Sequence, residues 1–443
     1  MRTRMTVASG MASGGPSCTG RGTGVRTVFC PLFLMALLIP ALSFAAVPTA
    51  EALLEEAAQS AERSQDPQTR ALCLTEIAAA WAPRNREKRD ELAVQAVDCA
   101  GAVFDEMTRA LALRTVALRL AKADPDRAKK TLEQAASVAR GLKFTIERAV
   151  ALREACLAAR TLALESAKAL LTEALEAARK VEEPLSRAAC LRDLAAGLLP
   201  ADAATAAPIF REAEKALDGG AAQEADMLLA RAELAASWAP LDLPAAREVL
   251  AGIPDATHRP LAVGIVGRAV AARHPELALM LSQELEEGPA RAHVVAAAAA
   301  ALPPERAAAA EGLARLALGM VKGATGEGPQ DTVADVAVAL AGSSPKEAAD
   351  TARSIPEADA RNMALARVAE RVAVGDLKAG LDLLATVDDP LASEPVVSKL
   401  AVRLARTDPE RALTLARTLL NRRLRVECIL GIAGALGASP AKP

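Results

Sequence analysis

An arginine recurs through this chain at a nearly fixed spacing, and each copy opens the same short helical pattern. The step is thirty-nine positions in the N-terminal part and, from Arg259 onward, mostly thirty-two positions or a multiple of that step. These repeat arginines are Arg70, Arg109, Arg148, Arg187, Arg259, Arg291, Arg361 and Arg425. A period of this length is typical of a repeat array, in which one small structural unit packs on copies of itself.

Apolar residues follow each repeat arginine at helical spacing. A large aliphatic residue stands four positions after it, as Leu74 does, and a small residue stands eight positions after it, as Ala78 does. The apolar positions three, four, seven and eight form one face of a helix. The same pattern fits three further copies, anchored at Met227, Pro329 and Ser393, which brings the total to eleven.

A second helix follows in each copy. Several of these helices begin with a capping residue and a proline, as in Asp124-Pro125, Ser344-Pro345 and Asp408-Pro409. Proline is tolerated in the first turn, where no helical hydrogen bond is lost. Alanine, leucine, arginine and glutamate dominate the composition, which favours helix. The sequence therefore predicts an all-α fold, a right-handed α-solenoid of about ten to eleven stacked antiparallel helix hairpins that forms an elongated spiral.

Three segments are expected along the chain. Residues 1–45 read as a signal peptide, with arginines ahead of an apolar stretch from Val28 to Leu42 and a small-residue cleavage site at Ser43-Phe44-Ala45. An uncleaved membrane anchor is the alternative, although a spanning helix needs about 20 apolar residues. Residues 46–436 form the repeat array, with longer 39-residue units to about residue 225 and shorter 32-residue units after about 255. Residues 437–443 are predicted to be a disordered tail.

Charge and aromatic content exclude some kinds of partner. Without residues 1–45 the chain has 49 basic and 55 acidic residues, a net charge near −6, which does not favour nucleic acid phosphates. Only Trp81, Phe104, Phe144, Phe210 and Trp238 remain as aromatic residues, too few for stacking on single-stranded nucleic acid or sugars.

The helix hairpins of these two lengths, with a second helix opened by Asp408-Pro409-Glu410-Arg411-Ala412-Leu413, resemble tetratricopeptide repeats. The Asp-Pro helix starts are also similar to those of HEAT repeats. The resemblance covers nearly all of the chain after the signal peptide. It implies an α-solenoid that binds proteins, and it implies no particular ligand pocket.

The cysteines occupy positions that are small in other repeats. Cys73, Cys190 and Cys428 stand three residues after a repeat arginine, where other copies have alanine, so we expect free thiols that act as small apolar residues. A disulfide between Cys73 and Cys99 is the alternative in an oxidising compartment. Three scattered histidines and the absence of a metal motif predict no metal, no cofactor and no catalytic site.

An acid usually stands four residues before the repeat arginine, as Asp66 and Glu183 do. This spacing places acid and guanidinium one helical turn apart, so we expect a repeated structural pair. The arginine head would bond a neighbouring carboxylate or carbonyl while its stem packs against the next repeat. The alternative is a ladder of repeat arginines along a concave wall that grips acidic peptides.

These observations predict a non-enzymatic scaffold, periplasmic or secreted, that binds an unidentified protein or peptide, with no nucleic acid and no membrane span after signal cleavage. A structural or oligomerising subunit of a cell-envelope assembly is the first alternative. A helical accessory part of a cell-wall enzyme system is the second. The sequence does not fix the oligomeric state.

Overall fold

The computed structural model describes residues 48–218, 224–253, 258–321 and 328–437, and within these ranges every regular element is helical. The even-numbered helices are α2 (Pro67–Trp81), α4 (Glu106–Leu120), α6 (Thr145–Thr161), α8 (Pro184–Leu198), α10 (Glu224–Trp238), α12 (His258–Ala271), α14 (Pro289–Ala301), α16 (Gly328–Leu340), α18 (Ala358–Gly375), α20 (Pro390–Leu404) and α22 (Arg422–Gly437). The odd-numbered helices are α1 (Ala50–Glu62), α3 (Arg86–Gly101), α5 (Pro125–Gly141), α7 (Ala167–Arg179), α9 (Ala203–Asp218), α11 (Leu243–Ala251), α13 (Pro275–Ser282), α15 (Ala307–Val321), α17 (Pro345–Arg353), α19 (Leu377–Leu384) and α21 (Pro409–Thr418).

The helices pack in neighbouring pairs, as an all-α repeat architecture requires. Each even-numbered helix contacts the next even-numbered helix, so these helices form a continuous inner layer. Each odd-numbered helix lies outside this layer, against the even-numbered helices before and after it. The predicted signal peptide (residues 1–45) and residues 438–443 of the predicted tail lie outside the described residues, and Gly437 ends α22.

The residues of the repeated apolar pattern form the core between the layers. The large aliphatic residue four positions after each repeat arginine is at most 4% exposed, and the small residue eight positions after it is also buried. The small side chains let inner helices approach closely. At Gly267 on α12, a Cβ atom would lie 2.7 Å from Cγ1 of Val294 on α14, so even alanine would force this pair apart.

The outer helices differ in length along the chain. Helices α3, α5, α7 and α9 have 13 to 17 residues, whereas α11, α13, α17, α19 and α21 have 8 to 10. Helix α15, with 15 residues, interrupts the shorter series. The inner helices stay long throughout the described chain. The shorter repeats therefore differ from the longer ones mainly in their outer helices.

The two ends of the row meet. Helix α1 packs against both α22 and α2, and α22 also contacts α2. Helix α1 therefore stands between the last and first inner helices as every other outer helix stands between its two neighbours. An elongated open spiral, as expected from the sequence, would keep α1 and α22 apart. The expectation of an elongated spiral was wrong, because α1, the first described helix, packs on α22, the last one.

The polar contacts of α1 also follow the repeat. Arg140 of α5 pairs with Glu173 of α7 through two hydrogen bonds of 2.7 and 3.1 Å. Arg417 of α21 pairs with Glu56 of α1 in the same way, at 2.9 and 2.7 Å. The hydrogen bond from Arg417 lowers the pKa of the Glu56 carboxyl. The closure thus uses the same outer-layer ion pair as neighbouring units in the middle of the chain.

We expect Leu53→Ala to destabilise the whole protein, because Leu53 is fully buried in the closure. Truncating such a side chain leaves a cavity and costs about 2–5 kcal/mol. The free energy of unfolding in urea measures the effect. The exposed Glu51 on the same helix provides the control, since Glu51→Ala leaves the core intact. Equal stability of the two variants would show that α1 is not held in the ring.

Candidate interaction surface

The repeat arginines bond the loops that precede the inner helices. Arg148 donates from Nε and Nη2 to the carbonyl oxygen of Leu142, with the Nε bond at 2.9 Å. Arg70, Arg187, Arg361 and Arg425 likewise donate to the carbonyl of the residue six positions earlier. That carbonyl belongs to a residue one or two positions after the end of an outer helix, where backbone oxygens lack helical partners. The bond therefore ties the end of one helix to the start of the next.

Sequence reasoning missed the residue that provides this carbonyl. In four of the five bonded copies it is a large aliphatic residue that is at most 2% exposed: Leu142, Val181, Ile355 and Leu419. The position six before the arginine is also a buried aliphatic residue in copies without the bond: Val103, Ile253 and Leu285. Its signal is an aliphatic residue six positions before the arginine, within a stretch that otherwise looks like a polar loop. The buried side chain fixes the loop, and the arginine fixes its backbone.

Three repeat arginines do not show this bond. Arg109 forms an ion pair with Glu106 at 3.4 Å. Arg259 is exposed at the second position of α12, and Arg291 is half-buried on α14. The structure therefore places the repeat arginines at one edge of the inner layer, most of them engaged with the backbone.

The acids four residues before the arginines cap the inner helices. Asp66 accepts hydrogen bonds from the backbone amides of Gln68 and Thr69, and Asp105 accepts one from the amide of Thr108. Bonds from the threonine side chains, together with the amides, hold the pKa of both carboxyls below its usual value. The acid and the arginine thus serve different backbone groups on the two sides of one loop.

A second set of charges lines the inner helices in the N-terminal half. Arg114 of α4 pairs with Glu154 of α6 at 2.5 Å, and Arg153 of α6 pairs with Asp193 of α8 at 2.8 Å. Arg192 of α8 continues the series with an ion pair to Glu233 of α10. Equal numbers of positive and negative groups are paired here, which leaves little free charge on this wall. Sequence analysis missed this series of ion pairs, although Arg114, Arg153 and Arg192 recur at the same thirty-nine-residue step as the repeat arginines of that half.

The large apolar side chains most exposed to solvent lie at the edge where the inner helices begin. Among the described residues, the four highest exposures are those of Phe104 (98%), Leu391 (82%), Phe144 (68%) and Leu420 (68%). Each stands in the loop before an inner helix or in its first turn. In contrast, Trp81, Phe210 and Trp238 are buried. The two exposed aromatic side chains of the described chain therefore lie on the same edge.

The histidines and cysteines form no reactive cluster in the described residues. No group of His, Cys, Asp and Glu there could hold a metal ion. Cys73, Cys99, Cys156, Cys190 and Cys428 are free thiols in the structure, so the alternative of a Cys73–Cys99 disulfide is not present in it. Burial raises the pKa of the Cys73, Cys156 and Cys428 thiols to about 11, which suppresses the reactive thiolate.

Grooves open between neighbouring units. The one between α6 and α8 has a volume of about 680 Å³ and is bordered by Arg160, Lys168 and Asp202. Arg160 donates to Asp202 at 3.1 Å, and Asp202 also accepts from Thr205, so Arg160 and Asp202 have partners within the groove. No helix in the described ranges is both long and apolar enough to cross a membrane.

Comparisons with known proteins add little to this description. No protein-family model matches the chain, and no curated protein matches its sequence. Among solved structures, the crystal structure of Ton1535 from Thermococcus onnurineus NA1 aligns over 80% of this chain and 97% of that chain. The identity is 15% and the TM-score is 0.34. At this level of similarity, nothing about a role transfers to the present chain.

We expect Arg148→Met to lower the free energy of unfolding by about 2 kcal/mol, since it keeps the apolar stem but removes charged donors from a loop carbonyl. Arg353→Met is the matched control. Its guanidinium forms an ion pair with Asp350 on one helix surface and is half exposed, so its loss should have an effect below about 0.5 kcal/mol. If urea unfolding shows the same loss of unfolding free energy in both variants, the role of Arg148 in holding the loop carbonyl is contradicted.

Thiol labelling with Ellman's reagent at pH 8, without reductant, should separate the cysteines by burial. Cys99 is only half-buried and should react first. Cys73, Cys156 and Cys428 should react slowly, because a thiol of pKa about 11 is only ~0.1% ionised at pH 8. In denaturant, a chain lacking residues 1–45 should show five thiols; a count of three would indicate that a disulfide forms.

Proposed function

We propose that this protein is a non-enzymatic helical-repeat scaffold that binds a protein partner at the edge where its inner helices begin. Its units are of the tetratricopeptide-like or HEAT-like type, eleven in number and wound in a right-handed sense. The exposure of Phe104 carries the proposal. Exposing a whole phenylalanine side chain to water costs free energy, and large aromatic side chains anchor many protein interfaces.

The neighbouring residues support this edge as the binding surface. Phe144 and Leu420 stand in other loops and Leu391 in the first turn of α20, so exposed apolar groups recur on the edge. The inner wall of the N-terminal half offers a weaker surface, because Arg114, Arg153 and Arg192 are already paired with acids. The repeat arginines fit a structural role better than a ladder for acidic peptides, since five of them already donate to loop carbonyls.

The signal-peptide pattern of the first 45 residues supports a location for this scaffold in the periplasm or outside the cell. An oligomerising subunit of an envelope assembly is the first alternative, favoured by the same exposed edge if a second copy covers it. A helical accessory part of a cell-wall enzyme system is the second alternative, and it would use the edge to hold a separate catalytic chain.

Photo-crosslinking in the native envelope tests the proposal. We expect the photoreactive amino acid p-benzoylphenylalanine, placed at position 104 or 144, to yield adducts with a distinct protein. The same amino acid at Leu316, a half-exposed position on the outer helix α15, is the matched control and should yield none. Adducts of twice the chain mass would favour self-assembly. Equal labelling at positions 104 and 316, or none at either, would reject this edge as the binding surface.

A further inference from the structure

One histidine of the inner layer lies among charges from two neighbouring helices. His293 stands in the second turn of α14 and is half-buried, and its Nε2 atom is buried without a hydrogen-bond partner among the described residues. The corresponding position, two residues after the repeat anchor, is aliphatic in the six copies before it: Leu72, Leu111, Val150, Ala189, Leu229 and Leu261. The repeat pattern itself therefore does not require a titratable side chain here.

A close approach of two inner helices brings a cation to this histidine. At Gly267 on α12, a Cβ atom would lie 2.7 Å from Cγ1 of Val294 on α14, so no side chain separates the two helices at this point. Arg268 and His293 adjoin these two residues in sequence. Arg268 consequently lies near enough to the imidazole for its positive charge to act on it.

An ion pair also passes across the helix that carries His293. Arg268 of α12 pairs with Asp331 of α16 at 2.9 Å, and both helices pack on α14, which lies between them. Asp335, one turn further along α16, is 7% exposed and accepts a hydrogen bond of 2.8 Å from Arg367 of α18. A continuous chain of charges therefore joins α12, α16 and α18 around the imidazole.

The other charged groups near α14 are engaged elsewhere or stand at helix starts. The further charged or titratable side chains of α14, of the loop before it and of the helices packed against it are Glu276 on α13, Glu284, Glu286 and Glu287 in the loop, Glu311 and Arg315 on α15, His258 and Arg259 on α12, and Arg291 on α14 itself. Those of the outer layer pair with one another or with Arg306, and Glu284 pairs with Arg247. Arg291, two residues before His293, points to a different side of α14. The imidazole therefore responds to the charges of α12 and α16 described above.

This environment keeps the imidazole neutral at pH 7. Burial and, after it, the charge of Arg268 lower the pKa of the His293 imidazole below its usual value, and Asp335 and Asp331 do not outweigh them. In the unfolded chain, the same imidazole takes up a proton near pH ~6.5. The folded state thus keeps its full stability above about pH 6.5 and loses stability as the pH falls from there toward the lower folded pKa.

We propose that His293 is a proton-sensitive joint of the ring: protonation at mildly acidic pH sets two cations side by side, separates α12 from α14 and breaks the ion pair between Arg268 and Asp331 that spans α14. Because Gly267 and Val294 are in close contact, the imidazolium can be hydrated only if these helices move apart. Asp331 can then pair with the imidazolium. This inference concerns the conformation of the ring and does not depend on which partner the protein binds.

An NMR titration of the full chain, labelled in its three histidines, measures the proton uptake directly. We expect His293 to titrate at a lower pH than His274, which is exposed at the start of α13. Arg268→Met should raise the His293 midpoint because it removes the nearby cation, and Asp331→Asn should lower it because it removes an acid. A His293 midpoint equal to that of His274 and unmoved by Arg268→Met would overturn the proposal.

Urea unfolding as a function of pH tests the effect on stability. Between pH 6.5 and 5.5, the unfolding constant of the wild type should rise by up to about five-fold relative to that of His293→Gln. His293→Leu provides a second variant in case the first unfolds, since Leu261 occupies the same place in the preceding copy. His274→Gln is the matched control and should keep the pH dependence of the wild type. The same pH dependence in the wild type and in both His293 variants would reject the joint.

Hydrogen exchange followed by mass spectrometry tests the movement itself. At pH 5.5 compared with pH 7.5, and after correction for the intrinsic exchange rates, α12 and α14 should lose protection in the wild type but not in His293→Gln. Helices α4 and α6 of the same molecule serve as the internal control and should show no such difference. Unchanged protection of α12 and α14 at pH 5.5 would overturn the proposed separation of these helices, even if the stability of the chain changes.

Discussion

The packing of α1 between α22 and α2 is the contact on which the arrangement of the whole chain depends. Every described outer helix bridges two inner helices, and α1 bridges the last and the first of them. In the described part of the chain, the first helix is an outer one and the last is an inner one. Its ends are therefore complementary to each other as neighbouring units are, and the buried leucines of α1 cover apolar surface that terminal units of open arrays must protect by other means.

In several units, two interactions hold the loop between an outer helix and the next inner helix. A buried aliphatic side chain such as Leu142 anchors the loop in the core, and the arginine six residues later bonds its carbonyl oxygen. The acid between them caps the inner helix in several copies. These interactions recur along the chain, and the row returns to its own start where α1 packs on α22.

Many charged side chains of the inner and outer layers form ion pairs between neighbouring units. Arginine–acid pairs connect neighbouring inner helices, as between Arg153 and Asp193, and neighbouring outer helices, as between Arg179 and Glu212. Individually, such partly exposed pairs contribute little stability, but they leave the walls nearly neutral. The edge at which the inner helices begin differs from the walls, since its capping acids face solvent beside exposed phenylalanine and leucine side chains. That contrast is the ground on which we propose this edge, and neither wall, as the surface for a partner.

The sequence by itself determined the helical class, the positions of the core residues and the pairing of helices, because these follow from side-chain size and from periodicities within a single repeat unit. It also indicated that the repeat arginines are structural, although the acid before each arginine was expected to pair with it and instead caps backbone amides in copies such as those of Asp66 and Asp105. Only the tertiary structure decided that the row closes, that Arg417 meets Glu56, and that Leu420 and Phe104 lie on neighbouring stretches of one edge. No local pattern specifies these contacts between residues more than 300 positions apart, since they depend on how every unit between them packs on the next.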